Sequence, residues 1–276
     1  MQEALTYFFS PMRGAIVCVL SLFLFIPVPS LAHDPDAPET FLPRALGLGT
    51  KGHFDRASEA LEKTPGQRTE TVVLLKRVLR AVNAGKMEPQ AAMLFFKAEL
   101  CLRDGNESEA VKYFELSSAV SPDYSDTWMM LGKLHSAGDA KRAIGDLQKA
   151  VSIDPRNAQA QEELAFLYVR RGNNERASLH FLKAIAAGYD DAWTYTALGN
   201  AYSALDRKGE ALKAYAEALR RDDGSGEAYL GIGSTYLKAG DFALARDNLA
   251  AAKRLFQARG QWGEADSVQS LLDSVK

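Results

Sequence analysis

Four histidines and two cysteines are the side chains best suited to metal or nucleophilic chemistry, and their spacing works against both. His33, His53, His135 and His180 lie far apart, and none has a second His or Cys at the short spacing of a metal site. Cys18 falls inside an apolar run and Cys101 in an apolar helical stripe, where a single thiol reads as a small buried hydrophobe. The acidic pairs Glu162-Glu163 and Asp190-Asp191 read as solvated faces or helix caps rather than acid/base pairs. Gly47-Leu48-Gly49-Thr50-Lys51-Gly52 has the Gly-x-Gly-x-x-Gly spacing of a dinucleotide loop. No strand precedes it and no βαβ pattern surrounds it, so a helix end and a turn are expected there. Neither Gly-x-x-x-x-Gly-Lys-Ser/Thr nor Gly-x-Ser-x-Gly occurs. One catalytic reading stays open: if the chain is cut before His33, that residue's amino group and ring could chelate copper in a metal-dependent enzyme. Asn106-Glu107-Ser108 is a glycosylation sequon, with meaning only in a eukaryotic secretory pathway. No cofactor is expected.

The elements that carry these residues follow from composition and pattern. Of 276 residues, 47% are apolar and 25% charged, an ordinary globular mixture. Lys and Arg number 33 against 35 Asp and Glu, so a general nucleic-acid binder is not expected. Ala15 to Ile26 is an unbroken run of mostly apolar residues, with Arg13 before it and Pro27, Pro29 and Ser30-Leu31-Ala32 after it. Residues 1–32 are therefore expected to be a signal peptide cut after Ala32. A spanning helix needs about 20 apolar residues, and this run is shorter and ends in prolines. An uncleaved signal anchor is the alternative, and with Asp34, Asp36 and Glu39 beyond the run it also leaves the bulk of the chain outside. The expected location is the bacterial periplasm, free or anchored in the inner membrane. Residues 1–11 carry Glu3 and no Lys or Arg, so Met12 is expected to be the start. The exported chain keeps Cys101 alone and forms no internal disulfide.

The strongest signal is periodic. Ala110, Ala143, Ala177, Ala211 and Ala245 recur every 33 or 34 residues, each followed four residues later by Phe114, Leu147, Phe181, Tyr215 or Leu249. Small residues Ala98, Gly132, Ala165, Gly199 and Gly233 keep the same step, as do Tyr168, Tyr202 and Tyr236, and Pro122 and Pro155 close two units. Such a period denotes a repeat array, no unit of which can bury its apolar face alone, so one continuous core is expected. Gly105, Gly138, Gly172 and Gly240 recur at one place in the unit, where a left-handed residue can end a helix, and Asp206 takes that place in the fourth unit. Gly188 and Gly224 are expected to stop the helices that lack a closing proline. The one-residue shortening lies between His135 and Gly138.

These residues resemble the tetratricopeptide repeat family, with its Trp-x-x-Leu-Gly-x-x-Tyr, Ala-x-x-x-Phe and Pro pattern. Trp128-x-x-Leu131-Gly132, Tyr195-x-x-Leu198-Gly199-x-x-Tyr202 and Tyr229-x-x-Ile232-Gly233-x-x-Tyr236 carry the match, and the third unit keeps Leu164-Ala165 and Tyr168. The resemblance implies an all-α fold, a right-handed solenoid of antiparallel helix pairs. The expected layout is residues 33–89 as linker, degenerate helix pair (about 39–64) and extra helix (about 69–84), 90–259 as five units, and 260–276 as a capping helix. In that last helix Trp262, Ala265, Val268, Leu271, Leu272 and Val275 form the apolar stripe.

In the family the first helix of each pair lines a groove that holds peptides or partner helices. Carried over, the groove residues are Phe95, Glu99 and Arg103 in the first unit, Met129 and Lys133 in the second, and Glu162, Phe166 and Arg170 in the third. The fourth contributes Trp193, Thr196 and Asn200, and the fifth Leu230, Ser234 and Lys238. The carboxylate clamp of chaperone-binding members is not matched, since Asn200 stands without a Lys-x-x-x-Asn pair. The function implied is an exported, non-enzymatic scaffold or adaptor that binds a protein or peptide in assembling an envelope or secretion-related complex. A membrane-tethered subunit of a larger envelope complex is the alternative.

Overall fold

The computed structural model describes residues 41–65 and 69–274, and among them every regular element is an α-helix. The fourteen helices are α1 (Phe41–Gly49), α2 (Phe54–Lys63), α3 (Glu70–Asn83), α4 (Pro89–Arg103), α5 (Glu107–Val120), α6 (Ser125–His135), α7 (Ala140–Ile153), α8 (Ala158–Arg170), α9 (Asn174–Ala186), α10 (Ala192–Ala204), α11 (Lys208–Arg221), α12 (Gly226–Lys238), α13 (Phe242–Ala258) and α14 (Trp262–Ser274). Twelve of them form six antiparallel pairs, α1 with α2, α4 with α5, α6 with α7, α8 with α9, α10 with α11 and α12 with α13. Among the described residues no helix is long and apolar enough to cross a membrane. The apolar run 15–26, Met12, His33 and Val275 lie outside the described residues.

Local chemistry sets the ends of these helices. Side chains of Asn106, Asp139, Asn157, Asn173, Asp191 and Ser225 each accept a hydrogen bond from the backbone N–H three residues on, which satisfies a donor the helix cannot. Within the pairs, the first helix closes with a left-handed residue: Gly105, Gly172, Gly240 and, at φ 57°, Asp206. The N–H that follows each one returns to a carbonyl five residues back, as in Asn173 N to Tyr168 O at 2.9 Å. Gly138 departs from the expectation. It has no positive φ, because the turn there is one residue shorter and Asp139 N reaches His135 O directly at 2.8 Å. Gly188 does stop α9 with φ 113°, whereas Gly224 does not stop α11, which ends at Arg221 with the extended Asp222 as its cap.

Within the pairs, a small residue of the first helix sits directly against a large side chain of the second. A Cβ at Gly132 would lie 2.5 Å from Leu147 Cγ, one at Gly199 2.5 Å from Tyr215 Cε1, and one at Gly233 2.7 Å from Leu249 Cγ. The large residues so accommodated are buried. The buried residues form two groups, one from Ala45 to Tyr215 and a smaller one of Leu249, Ala252, Phe256, Ala265 and Val268. Helix α12 lies between them: its fully buried positions are small (Gly226, Ala228, Gly231, Gly233 and Thr235), while its half-buried Ile232 packs on the first group and Tyr229, Leu230 and Leu237 on the second. In α14, Ala265 and Val268 are buried as expected, but Trp262 is 63% exposed and does not belong to the packed stripe.

The extra helix α3 does not take a place in the stack. Helix α1 packs straight onto α4: a side chain at Gly49 would overlap the Phe96 ring, and Phe54 meets Phe96 at 6.3 Å. Squeezed out of the line, α3 lies across the first helices of the pairs.

Candidate functional site

The site is the face made by α4, α6, α8, α10 and α12, and α3 divides it. Glu70 of α3 meets Lys133 of α6 at 2.6 Å and accepts a hydrogen bond from Gln159 of α8. Arg77, two turns on, lies 3.2 Å from Asp126 of α6. Leu74 and Thr71 share a cavity wall with Glu99 and Leu102 of α4 and with Met130 and Leu134 of α6. The apolar side of α3 (Val72, Leu74, Leu75, Val78, Leu79) is buried in the same cluster as Phe95 and Met129. The N-terminal half of the groove is thus covered by a helix of the chain itself, with a cavity left between α3, α4 and α6.

This occupant changes the standing of the residues expected to meet a partner. Phe95 and Met129 are both 0% exposed, and Phe95 packs edge-on to Phe114 at 4.9 Å, so they are core rather than open groove. Glu99 is buried too, at 5% exposure. Lys133 is committed to Glu70 and, at 3.7 Å, to Glu163. Arg103 is exposed but turned to Asp104 at 3.3 Å. Thr196 is a further correction: its hydroxyl donates back to Ala192 O and it is 3% exposed, because position 196 faces between helices.

The C-terminal half is open. Trp193 is 60% exposed and tilts over the half-buried Phe166 at 5.9 Å, with Phe181 edge-on beneath Phe166 at 5.1 Å. Glu162 accepts from the Thr194 hydroxyl at 2.9 Å. Arg170 is exposed and donates to Ser136 O, and Lys238 is exposed and donates to Ser203 O. Asn200 is exposed and its Oδ1 accepts from the Tyr215 hydroxyl at 2.7 Å. Leu230 and Ser234 are half-buried.

The electrostatics divide in the same way. Burial pushes the Glu99 carboxyl up to about 7, with the Glu70 charge adding to it and Lys133 opposing. Burial also lifts Glu162 to about 7, partly countered by the Thr194 hydrogen bond. For Glu70, burial acts upward but the Lys133 hydrogen bond and charge prevail and hold it below the usual range. Among the histidines, His180 is pushed down to about 4 by burial and by Lys183 and Arg176, with Nδ1 2.7 Å from Gln161 Oε1. His135 Nδ1 sits 2.7 Å from Asp146 Oδ2. Burial, then Glu109 and Asp104, raises the Cys101 thiol, which disfavours a reactive thiolate. Among the described residues no three His, Cys, Asp or Glu side chains gather as a metal site would require.

Sequence reasoning missed Glu70, Arg77, Asp126 and Gln159 as groove residues. The apolar stripe of α3 was legible, but a stripe says that a face is buried and not against what.

The comparisons bear on the repeat itself. Two family models described as tetratricopeptide repeat match residues 124–225 and 196–260, and neither is a catalytic family. Human tetratricopeptide repeat protein 17 is 30% identical over 204 residues, which is 67% of this chain and 18% of that protein. The peroxisomal targeting signal receptor of Saccharomyces cerevisiae is 28% identical over 88 residues, 32% of this chain and 14% of the receptor. The chain thus spans less than a fifth of the length of these two relatives. The photosystem I assembly protein Ycf3 of Prochlorococcus marinus is 25% identical over 99 residues, 34% of this chain and 57% of Ycf3. Among solved structures, MamA (23% identity, TM-score 0.56) covers 59% of this chain and 96% of its own. YrrB, described as a TPR protein with an unusual peptide-binding site, has 17% identity and a TM-score of 0.56, over 66% of this chain and 93% of its own. These structural likenesses show the fold. With the period, the small-against-large packing and the family models in agreement, the chain is a tetratricopeptide repeat protein.

Proposed function

We propose that the protein is an exported, non-enzymatic scaffold whose partner segment docks in the open, C-terminal half of the groove, over α8, α10 and α12. Tetratricopeptide repeat domains bind protein or peptide partners. The single observation that carries the reading is Trp193, a large aromatic 60% exposed and backed by Phe166, at the point where α3 ceases to cover the face. An exposed aromatic on a rigid helix is the kind of residue that dominates binding energy at an interface. Arg170 and Lys238 carry outward positive charge at the ends of α8 and α12, so the segment that fits has an apolar anchor flanked by acidic groups. The descriptions of YrrB, which names a peptide-binding site, and Ycf3, which names assembly, favour the same reading. Arg13, the apolar run 15–26 and Ser30-Leu31-Ala32 support export, and the role proposed there is the assembly of an envelope or secretion-related complex.

The test is affinity capture from envelope extracts with the wild-type chain, Trp193→Ala, and Trp262→Ala as a control at another exposed tryptophan. Trp193→Ala is expected to lose the partner and Trp262→Ala to keep it. Undiminished capture by Trp193→Ala would remove the groove from the mechanism. N-terminal sequencing after cell fractionation separates a cleaved leader, beginning at His33, from a retained anchor.

A further inference from the structure

We propose that the half-open cavity lined by α1, α3, α4, α6 and the start of α5 is a binding site for an alkylammonium group, seated with its nitrogen against the carboxyl of Glu99. The cavity is about 520 Å³, within the usual range for small-molecule sites. Its walls include Leu46, Leu74, Leu102, Met130 and Leu134, which suit a hydrocarbon stem. Its polar feature is Glu99, 5% exposed, whose Oε1 has no hydrogen-bond partner. A buried acceptor without a donor is a standing cost that a donating ligand removes.

Charge selects the donor. The groups facing the cavity are Glu70 from α3, Glu99 and Arg103 from α4, Glu107 at the start of α5 and Lys133 from α6. Lys133 is matched by Glu70 and Glu163, and Arg103 by Asp104, so Glu99 has no counter-charge of its own. A cation satisfies both the orphaned oxygen and this imbalance, an anion neither. Because burial holds the carboxyl near 7, an ammonium that binds below that pH meets the protonated acid. Its arrival turns Glu99 into a carboxylate and sends that proton to solvent, leaving a carboxylate–ammonium pair with charge balanced.

The site lies away from Trp193, so the two proposals fail separately. The probe is n-hexylamine, titrated calorimetrically into the full chain, with n-hexanol and hexanoate as controls. Expected are saturable binding at one site, at least tenfold tighter for hexylamine than for either control, and release of close to one proton per ligand at pH 6. That release is read from two buffers of different ionisation enthalpy and needs no variant. Glu99→Gln, with its helical circular dichroism unchanged, is expected to lose at least tenfold in hexylamine affinity, while Trp193→Ala binds as the wild type. Nα-acetyl-lysine N-methylamide separates the sources: tighter binding than hexylamine identifies a protein lysine side chain, weaker binding a free amine. Hexylamine binding no tighter than hexanol, or binding without proton release at pH 6, overturns the proposal.

Discussion

Replacing Leu75 by alanine tests whether α3 is a structural wall of the groove or an arm resting in it. Leu75 is 0% exposed, as are Val72 and Val78 on the same side of the helix, whereas Val73 on the opposite side is 43% exposed. Removing a fully buried leucine side chain costs about 2–5 kcal/mol, the transfer cost plus that of the hole left behind. Val73→Ala, which leaves no hole, is expected to fall within about 0.5 kcal/mol of wild type. The exposed ion pair of α3 cannot account for a loss of the first size. Glu70 and Lys133 are 54% and 39% exposed, and a pair so placed contributes about 1 kcal/mol or less. A repeat array need not open in one step, so urea denaturation is read together with hydrogen exchange. The expected result is a 2–5 kcal/mol loss for Leu75→Ala on the stated scale, with amides of α3, α4 and α6 losing protection together. A loss below about 1 kcal/mol, with α3 exchanging freely while α4 stays protected, would refute the reasoning. The N-terminal half of the groove would then be a site that α3 vacates.

Further expectations follow from other places in the fold. Gly199→Ala puts a Cβ 2.5 Å from the Tyr215 ring, which the hydroxyl bond to Asn200 holds in place, and is expected to cost about 1–3 kcal/mol in chemical denaturation. Gly145→Ala, inside α7 with nothing within 4 Å of the added atom, is expected to stabilise by about 0.5–1 kcal/mol. Asp206→Gly relieves a left-handed non-glycine residue and is expected to raise the Tm. For pH, the raised folded pKa of Glu99 means that the native state binds more protons than the unfolded chain between 4.5 and about 7, so stability falls as pH rises through that window. Glu162 acts in the same sense, and His180, lowered to about 4, in the opposite one below 6.5. Glu99→Gln should flatten the decline and recover up to about 3 kcal/mol at pH 8, measured by urea midpoints; an unchanged slope would rule out Glu99 as its source. Amides of α12 to α14 are expected to exchange faster than those of α6 to α9, because the second core cluster is small and α12 carries three glycines within Gly226–Lys238.

Much of this molecule is decided by short-range chemistry. The 33- and 34-residue spacing of alanine and large residues selects helix pairs. Asn, Asp and Ser at the first cap start six of the helices, and Gly105, Gly172, Gly240 and Asp206 end the first helix of four pairs, since those choices depend on sterics and hydrogen bonds within a few residues. The period marked Gly199 and Tyr215 as recurring small and large positions, and the structure brings the two together within one pair. It failed where the number of residues changed or where an element left the repeat. At Gly138 one missing residue moved the helix end to a different bond. At α12 the run of small side chains kept the helix but left the contact between the larger and the smaller group of buried residues to half-buried side chains. The apolar stripe of α3 demanded burial, but stripes carry no address. Only the direct packing of Gly49 on Phe96 left α3 without a slot in the stack and sent it across α4, α6 and α8. That displacement, a contest between surfaces far apart in the chain, decided the functional geography: Phe95, Met129 and Glu99 went inside, and Trp193 remained at the edge of open groove.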